Sequence, residues 1–312
     1  MPSDLNYLQL LYRYRYLRST HMLPLLGLKS KGRSIDRLGT LYHDFGYIDR
    51  PEQQYLVVNA GYKPAVYELT EAGEQVLREH GLANEESPLL HRGRGLGVLF
   101  QHELMISDIL SSLEIGLTGR PELSFISWQE ILKRAPKATQ DAKEPFDIPT
   151  SVSYAFHGGT QTSNKALSPD ALFGISHPDR APRFYALEAD RDSEPVYRSN
   201  LEQTSWLRKL LQYLEVMHSQ SLSYQGRAAR MPRYQEHFHI ANLTLLVVTT
   251  NEAHMRAIME LLMELTHGKG HQHILFRTMP SLASLETAPP PTPFILDTEW
   301  QRAGHPPIFI DR

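Results

Sequence analysis

Apolar and polar residues recur at helical spacing in three successive stretches near the start of the chain. The spacing predicts a first helix over residues 4–16 and a short second helix over 21–26. A third helix is expected to begin near Ser30 and to end at Gly46, because glycine suits the left-handed conformation that often follows a helix. The buried face of this third helix is predicted to carry Ile35, Leu38, Leu41 and Tyr42.

After the third helix, the pattern becomes that of strands. The segments QYLVV (54–58) and AVYEL (65–69) flank the turn NAGYKP (59–64), which predicts a β-hairpin. Thr70 then caps a further helix over 71–81. Three helices followed by a hairpin and another helix predict a winged helix-turn-helix over residues 1–81.

Basic residues are concentrated in this first part of the chain. Residues 1–50 contain eight Lys or Arg against four Asp, whereas the whole chain has a net charge of −3. The N-terminal half of a recognition helix enters the major groove of DNA. We therefore predict binding to double-stranded DNA; the alternative is a winged helix that contacts only proteins. The candidate DNA-contacting residues are Lys31, Arg33, Ser34, Arg37, Arg50 and Lys63.

The segment 82–97 is polar and glycine-rich, which predicts a linker. Residues 98–312 then show helix, three strands, helix, strand, helix and strand, the order of an α/β domain. A long loop or insertion is expected near 133–168, and the nearly continuous apolar run 242–250 predicts a central strand buried on both faces. The other predicted elements are helices over 100–117, 201–219 and 252–266 and strands over 122–127, 171–175, 183–190 and 273–278.

Composition narrows the class of protein further. A length of 312 residues predicts two domains, and 41% hydrophobic with 21% charged residues is typical of a globular protein. The chain has no cysteine, so disulfides and thiolate metal sites are excluded, and a cytoplasmic location is expected. No run of apolar residues is long enough to predict a membrane span.

Three acidic residues in the second domain are candidates for chemistry. Asp170 begins one predicted strand, and Glu188 and Asp190 lie two positions apart near the end of the next, so these two share a face. Converging carboxylates suit a hard cation such as Mg²⁺ or Mn²⁺. The alternative is that they are solvated or ion-paired with Arg183 and Arg191.

Several strings occur together in a specific order: RLGTLYHDFGYIDRP (37–51), VYELTEAGEQVL (66–77), PDALFGI (169–175), FYALEADRDSE (184–194) and RKLLQYLE (208–215). Through them, the chain resembles the plasmid replication-relaxation family over about residues 5–250. Proteins of this family are similar to the mobilisation proteins of conjugative elements. The resemblance implies a winged helix followed by a domain similar to the PD-(D/E)XK restriction-endonuclease fold.

The resemblance also implies roles for individual residues. Asp170 matches the first acid of the nuclease motif and Glu188 the second, and both would be metal ligands. Asp190 stands where an active nuclease has lysine, which places nuclease activity in question. Lys209 on the following helix is a candidate replacement for that lysine, and Glu103 is a candidate additional metal ligand.

The leading hypothesis is a DNA-binding protein of a plasmid or other mobile element that acts in mobilisation or replication control. One alternative is an active metal-dependent endonuclease or relaxase-like nickase. Another is a winged-helix transcriptional regulator whose second domain serves dimerisation. Besides double-stranded DNA, other mobilisation or replication proteins and a second copy of the chain are candidate partners, whereas a membrane is not.

Overall fold

The computed structural model describes residues 2–56, 64–83, 97–218, 231–282, 289–290 and 294–311 of a mixed α+β protein. Its contacts divide the chain into two compact units. The N-terminal unit comprises Met1–Pro121 with Ser281–Thr298, and the C-terminal unit comprises Glu122–Pro280 with Glu299–Arg312. This division differs from the predicted boundary, because the helix after the predicted linker belongs to the N-terminal unit. Residues 84–96 of that linker lie outside the described residues.

The N-terminal unit is mainly helical and contains one small sheet. Its strands pair in the order β1-β3-β2, and both pairings are antiparallel. Its elements, in chain order, are α1 (Pro2–Tyr14), β1 (Tyr16–Arg18), α2 (Ser19–Leu25), α3 (Lys31–His43), β2 (Ile48–Asp49), β3 (Val66–Leu69), α4 (Glu71–Glu79) and α5 (Gly97–Thr118).

Local side-chain chemistry explains where two of these helices begin. The Ser30 side chain accepts a hydrogen bond from the Arg33 backbone N–H, which starts α3 at the predicted place. Thr70 caps α4 in the same way by accepting from the N–H of Gly73. A side chain at Gly73 would lie 2.2 Å from the Tyr47 carbonyl oxygen, so this position requires glycine.

The predicted hairpin strand over 54–58 is wrong for the part that the structure describes. Residues Glu52–Leu56 form a 3₁₀ helix, and β2 takes the place beside β3 instead. The amide of Gln54 donates to the Val66 carbonyl and accepts from the Val66 N–H, so a side chain satisfies backbone groups that a strand would have bonded. Residues 57–63, which include Lys63 and most of the predicted turn, lie outside the described residues.

The C-terminal unit is built on a seven-stranded sheet with the order β12-β11-β10-β9-β8-β7-β4. The strands β4, β7 and β8 pair antiparallel, whereas β9 is parallel to both β8 and β10. The sheet strands are β4 (Ser124–Ile126), β7 (Ala171–Ser176), β8 (Arg183–Asp190), β9 (Thr244–Thr249), β10 (Ile274–Thr278), β11 (Trp300–Arg302) and β12 (His305–Ile308).

In the part of the C-terminal unit that the structure describes, the α-helices are α6 (Trp128–Arg134), α7 (Lys137–Gln140), α8 (Trp206–Met217), α9 (Arg233–Phe238) and α10 (Glu252–Leu265). Parallel pairing requires a crossover connection, and the chain between β8 and β9 contains α8 and α9. Ser205 caps α8 and Asn251 caps α10. The predicted burial of the central strand is confirmed, since Leu245 to Val248 are fully inaccessible to solvent.

The segment 133–168, predicted to be a long loop or insertion, has regular structure of its own. It contains α7 and a separate hairpin of β5 (Val152–Phe156) and β6 (Gly159–Ser163). Threonine, serine and glutamine give β6 a polar composition without an apolar period, which hid the strand from the sequence analysis. The side chains of Ser153 and Thr162 hydrogen-bond across the hairpin at 2.7 Å. None of the helices that the structure describes is both long and apolar enough to cross a bilayer.

Candidate functional site

The buried face of α3 is shifted around the helix relative to the predicted one. Ile35 is 52% exposed, although the sequence pattern assigned it to the core. Ser34, predicted to contact DNA, is buried instead, and its hydroxyl accepts a hydrogen bond from the hydroxyl of Tyr7. Ser34 and Ile35 are adjacent in sequence, so they lie about 100° apart around the helix, and the buried face extends to Ser34 and not to Ile35. Leu38 and Leu41 are buried as predicted.

The candidate DNA-contacting cations fall into two groups. Lys31 and Arg33 are exposed on α3. The guanidinium of Arg37 is ion-paired with Asp4 and lies over the ring of Phe45. Arg50 donates to the Tyr67 hydroxyl and stacks near two tyrosine rings, at 5.1 and 5.2 Å from their centroids. These contacts give Arg37 and Arg50 structural roles, so Lys31 and Arg33 are the stronger candidates.

Three more arginines of the basic N-terminal stretch face carboxylates of α5. Arg18 donates to both oxygens of Asp108 at 2.9 to 3.1 Å, and both side chains are buried. Burial raises the pKa of Asp108 to about 6, although Arg18 acts in the opposite direction. The other two pairs are Arg13 with Glu114 at 2.7 Å and Arg15 with Glu103 at 3.4 Å. The local excess of positive charge is therefore largely neutralised within the unit.

A second concentration of charge lies in the C-terminal unit, between β8 and α8. Glu188 of β8 is completely buried. One of its carboxylate oxygens accepts from the ammonium of Lys209 at 2.7 Å, and the other accepts from the hydroxyl of Tyr213 at 2.6 Å. Lys209 and Tyr213 lie four residues apart on α8, so they share one face of that helix.

The same ammonium is shared with further carboxylates. Glu194, in the segment between β8 and α8, lies 2.8 Å from Lys209. Asp170, just before β7, contributes electrostatically to both Glu188 and Lys209. Its own carboxylate accepts a hydrogen bond from the N–H of Ala189 at 2.8 Å. The structure thus gathers Asp170, Glu188 and Lys209, which the resemblance had grouped, and adds Glu194 and Tyr213. The four-residue spacing to Lys209 could have revealed Tyr213, but Glu194 lies outside any periodic element.

Burial and charge act against each other in this cluster. Burial raises the pKa of Glu188, as does the charge of Asp170, whereas Lys209 and the hydrogen bonds lower it; the resulting pKa is about 7. Burial lowers the pKa of Lys209, but the carboxylates of Glu188, Asp170 and Glu194 raise it well above its ordinary value. Lysine is therefore the charged partner at neutral pH, and the cluster is centred on its ammonium.

Asp190, which the resemblance places where an active nuclease has lysine, has partners of its own. One of its oxygens accepts from the indole N–H of Trp206 at 2.6 Å and lies 2.7 Å from Nε2 of His254. The other oxygen accepts from the backbone N–H of Ser193. Asp190 thereby links the end of β8 to α8 and α10. The predicted shared face of Glu188 and Asp190 agrees with these contacts, since both carboxylates accept bonds from α8.

The arrangement of these residues does not fit a resident Mg²⁺ or Mn²⁺. Both oxygens of Glu188 already accept hydrogen bonds, and the ammonium of Lys209 takes the position of a cation between Glu188 and Glu194. Within the described ranges, no group of three His, Asp or Glu residues is arranged to hold a metal ion. Glu103, the predicted additional ligand, belongs to the N-terminal unit and is ion-paired there with Arg15.

These features define a mixed α+β protein with an exposed basic helix in one unit and a buried lysine–carboxylate cluster in the other. Residues 8–233 match the family model described as replication-relaxation. Because that match covers more than half of the chain, the protein belongs to the replication-relaxation family. Comparisons with curated proteins and with solved structures find no match.

Proposed function

We propose that the protein binds double-stranded DNA through a winged helix-turn-helix in its N-terminal unit. The observation that carries this proposal is the order α1-β1-α2-α3-β2-β3, in which β1 pairs with β3 and β3 with β2. In such an arrangement, α2 and α3 form the helix-turn-helix and the strands support it. Membership in the replication-relaxation family favours a role in the mobilisation or replication control of a plasmid or other mobile element, in the cytoplasm.

Exposed cations beside α3 support a DNA contact at this helix. Lys31 and Arg33 lie in its first turn, and Lys29 is exposed just before it. Each cation that meets a phosphate releases counterions from DNA, so such contacts raise affinity and make it dependent on salt. The arginines paired with α5 are buried or half-buried and are not part of the proposed DNA contact.

The C-terminal unit is proposed to be nuclease-like in fold and to serve DNA gripping or assembly. Three successive antiparallel strands, a helical crossover and a parallel strand (β4, β7, β8, α8, β9) support similarity to the PD-(D/E)XK fold. The position of Lys209 among the carboxylates favours a structural role for this cluster, because its ammonium already neutralises them.

The DNA-binding proposal is tested by titrating fluorescent duplexes from the DNA that flanks the gene and measuring anisotropy at several salt concentrations. Lys31→Ala and Arg33→Ala are each expected to weaken binding, and each lost phosphate contact should reduce the salt slope by about 1. Lys137→Ala is the matched control, since this exposed lysine lies in the C-terminal unit. Wild-type protein that binds none of the duplexes at low salt would refute the proposal. A binding site confined to the promoter of its own gene would support the transcriptional regulator instead.

A metal-dependent nickase is the second candidate, and one observation favours it: Lys209 of α8 lies 2.7 Å from Glu188 and would replace the lysine that the resembled motif has at position 190. This candidate requires Lys209 to release the carboxylates so that a metal ion can bind them. Supercoiled plasmid carrying the flanking DNA is incubated with the protein and Mg²⁺, Mn²⁺ or EDTA. Nicked product that requires a metal and disappears with Asp170→Ala would establish the nickase. Intact plasmid in a preparation that binds the same DNA would leave the binding function alone.

A further inference from the structure

The exposed surface of α3 carries a large apolar side chain, Ile35. Ser34, Leu38 and Leu41 form the inner face of the helix and are buried. Ile35 lies about 100° from Ser34 around the helix, at the edge of this buried face, and is 52% exposed. Helix propensity does not favour a β-branched residue at an exposed helix position, because its side chain loses rotamer freedom there. Nor is Ile35 among the buried residues of the described core.

Glycines flank Ile35 one turn before and one turn after. Gly32 lies three positions before it and Gly39 four positions after it, so both are its neighbours on the helix surface. A Cβ atom built at either glycine would have no heavy atom within 4 Å, and neither has a positive φ. Glycine disfavours a helix, most of all in the interior position of Gly39. Among the described residues, no atom lies close enough to these positions to require glycine, and the missing side chains leave space for a surface that approaches the helix closely.

The charges on this face favour bases over phosphates as the approaching surface. Arg33 lies on one flank of the face, where it can meet the DNA backbone or a base edge. Asp36, one residue after Ile35 and about 100° from it around the helix, is also exposed. A carboxylate that faced phosphates would be repelled, whereas in the major groove it can accept a hydrogen bond from the amino group of cytosine.

We propose that Ile35 contacts the 5-methyl group of a thymine in the major groove and is a specificity-determining residue of this protein. Thymine is the base that presents a methyl group in this groove, and apolar side chains recognise it by direct contact. The missing side chains at Gly32 and Gly39 allow the helix to approach the bases closely enough for this contact. The inference rests on the proposed DNA-binding function and adds to it the base that is recognised.

The test begins with a duplex selected by the wild-type protein from a library with a randomised core. The selected duplex is then resynthesised with each thymine replaced in turn by uracil, which lacks only the methyl group. At one or more positions, uracil should weaken wild-type binding about fourfold, the equivalent of losing one buried methyl group. Ile35→Ala should bind more weakly than wild type and should be insensitive to uracil at that position.

Two further variants separate recognition from folding. Leu82→Ala truncates a different exposed aliphatic side chain of the same unit, and this variant should remain sensitive to the thymine-to-uracil replacement. Gly39→Ala should raise Tm because alanine favours the helix, yet it should lower DNA affinity because its methyl group enters the space next to the bases. A structural role for Gly39 would instead lower both quantities.

The outcomes are distinguishable. Failure of the wild-type protein to select any duplex would refute the DNA-binding function itself. Selection of a duplex whose affinity is unchanged by uracil at every position would overturn the role of Ile35 and leave DNA binding intact. Retention of the uracil effect in Ile35→Ala would also overturn that role, since another residue would then contact the methyl group.

Discussion

The two units place buried charge in different ways. In the N-terminal unit, arginines of α1 and β1 each face one carboxylate of α5, and the Arg18–Asp108 pair is bidentate. In the C-terminal unit, a single lysine is shared among Glu188, Glu194 and the nearby Asp170. The planar guanidinium suits fixed, directional pairs, whereas the ammonium is a compact charge that several acids can approach.

This difference shows that basic residues in a sequence are not equivalent to a basic surface. Five of the eight cations in residues 1–50 are engaged with acids or aromatic rings of the same unit: Arg13, Arg15, Arg18, Arg37 and Arg50. In the first unit the charges hold elements together, and in the second they build a compact polar cluster around one ammonium. The variants below test whether the two kinds of charge have these distinct effects.

The largest effect is expected from Arg18→Ala. This change leaves the buried carboxylate of Asp108 without its partner, which should lower the free energy of unfolding by about 3–5 kcal/mol. Urea denaturation followed by far-UV circular dichroism measures the loss. Arg33→Ala is the control, because Arg33 is exposed and its removal should change stability by less than about 0.5 kcal/mol. A loss below about 1 kcal/mol for Arg18→Ala would show that the pair does not hold α5.

Lys209→Ala should have the next largest effect, and this effect should depend strongly on the pH near neutrality. Without the ammonium, buried Glu188 retains its proton to a higher pH. The loss should be about 3 kcal/mol at pH 8 and smaller at pH 5, where Glu188 is protonated. All three tryptophans lie in the C-terminal unit (Trp128, Trp206 and Trp300), so their fluorescence monitors its unfolding.

In the wild-type protein, the raised pKa of Glu188 determines how its contribution to stability changes with pH. The pKa of Glu188 is raised to about 7 in the folded state from 4.5. Its contribution to stability is therefore greatest below pH 4.5 and is lost as the pH rises to 7. Glu188→Gln should remove this dependence while leaving DNA binding unchanged. A loss for Lys209→Ala that is equal at both pH values would contradict the assignment.

His21 is expected to give the opposite pH dependence in the N-terminal unit. It is fully buried, and burial together with the charge of Arg18 lowers its pKa from 6.5 to about 4. Its contribution is thus present above pH 6.5 and is lost as the pH falls to 4, by about 3 kcal/mol. The raised pKa of Asp108 gives the opposite pH dependence of stability. The contribution of His21 is therefore measured as the difference in the free energy of unfolding between wild type and His21→Gln from pH 4 to 6.5. A difference that is constant with pH would refute the assignment.

The smallest effect is expected from Asp190→Ala, at about 2 kcal/mol, because the indole of Trp206 and the ring of His254 each lose a hydrogen-bond partner. The emission spectrum of Trp206 should change as well. Asp190→Asn is the control that keeps one acceptor oxygen and should lose less stability. Equal stability of Asp190→Ala and wild type would show that this carboxylate does not link β8 to α8 and α10.

Much of the local structure follows from the sequence. The limits of β8, the cap of α3 at Ser30 and the burial of β9 agree with the prediction, because they depend on residue preferences and periodicity over a few positions. The hairpin β5–β6 was missed because β6 is polar and lacks an apolar period, although Val152, Tyr154 and Phe156 alternate along β5. The candidate acids were also identified, because strand geometry places Glu188 and Asp190 on one face.

The partners of the charged residues depend on the tertiary structure alone. Arg18 and Asp108 are 90 residues apart in sequence, and Asp190 and His254 are 64 apart. No local pattern specifies such pairs, since they form only when separate elements pack together. The rotation of α3 is decided in the same way. Its period is visible in the sequence, but whether Ser34 or Ile35 faces inward depends on what packs against it, and the hydroxyl of Tyr7 gives Ser34 a buried partner.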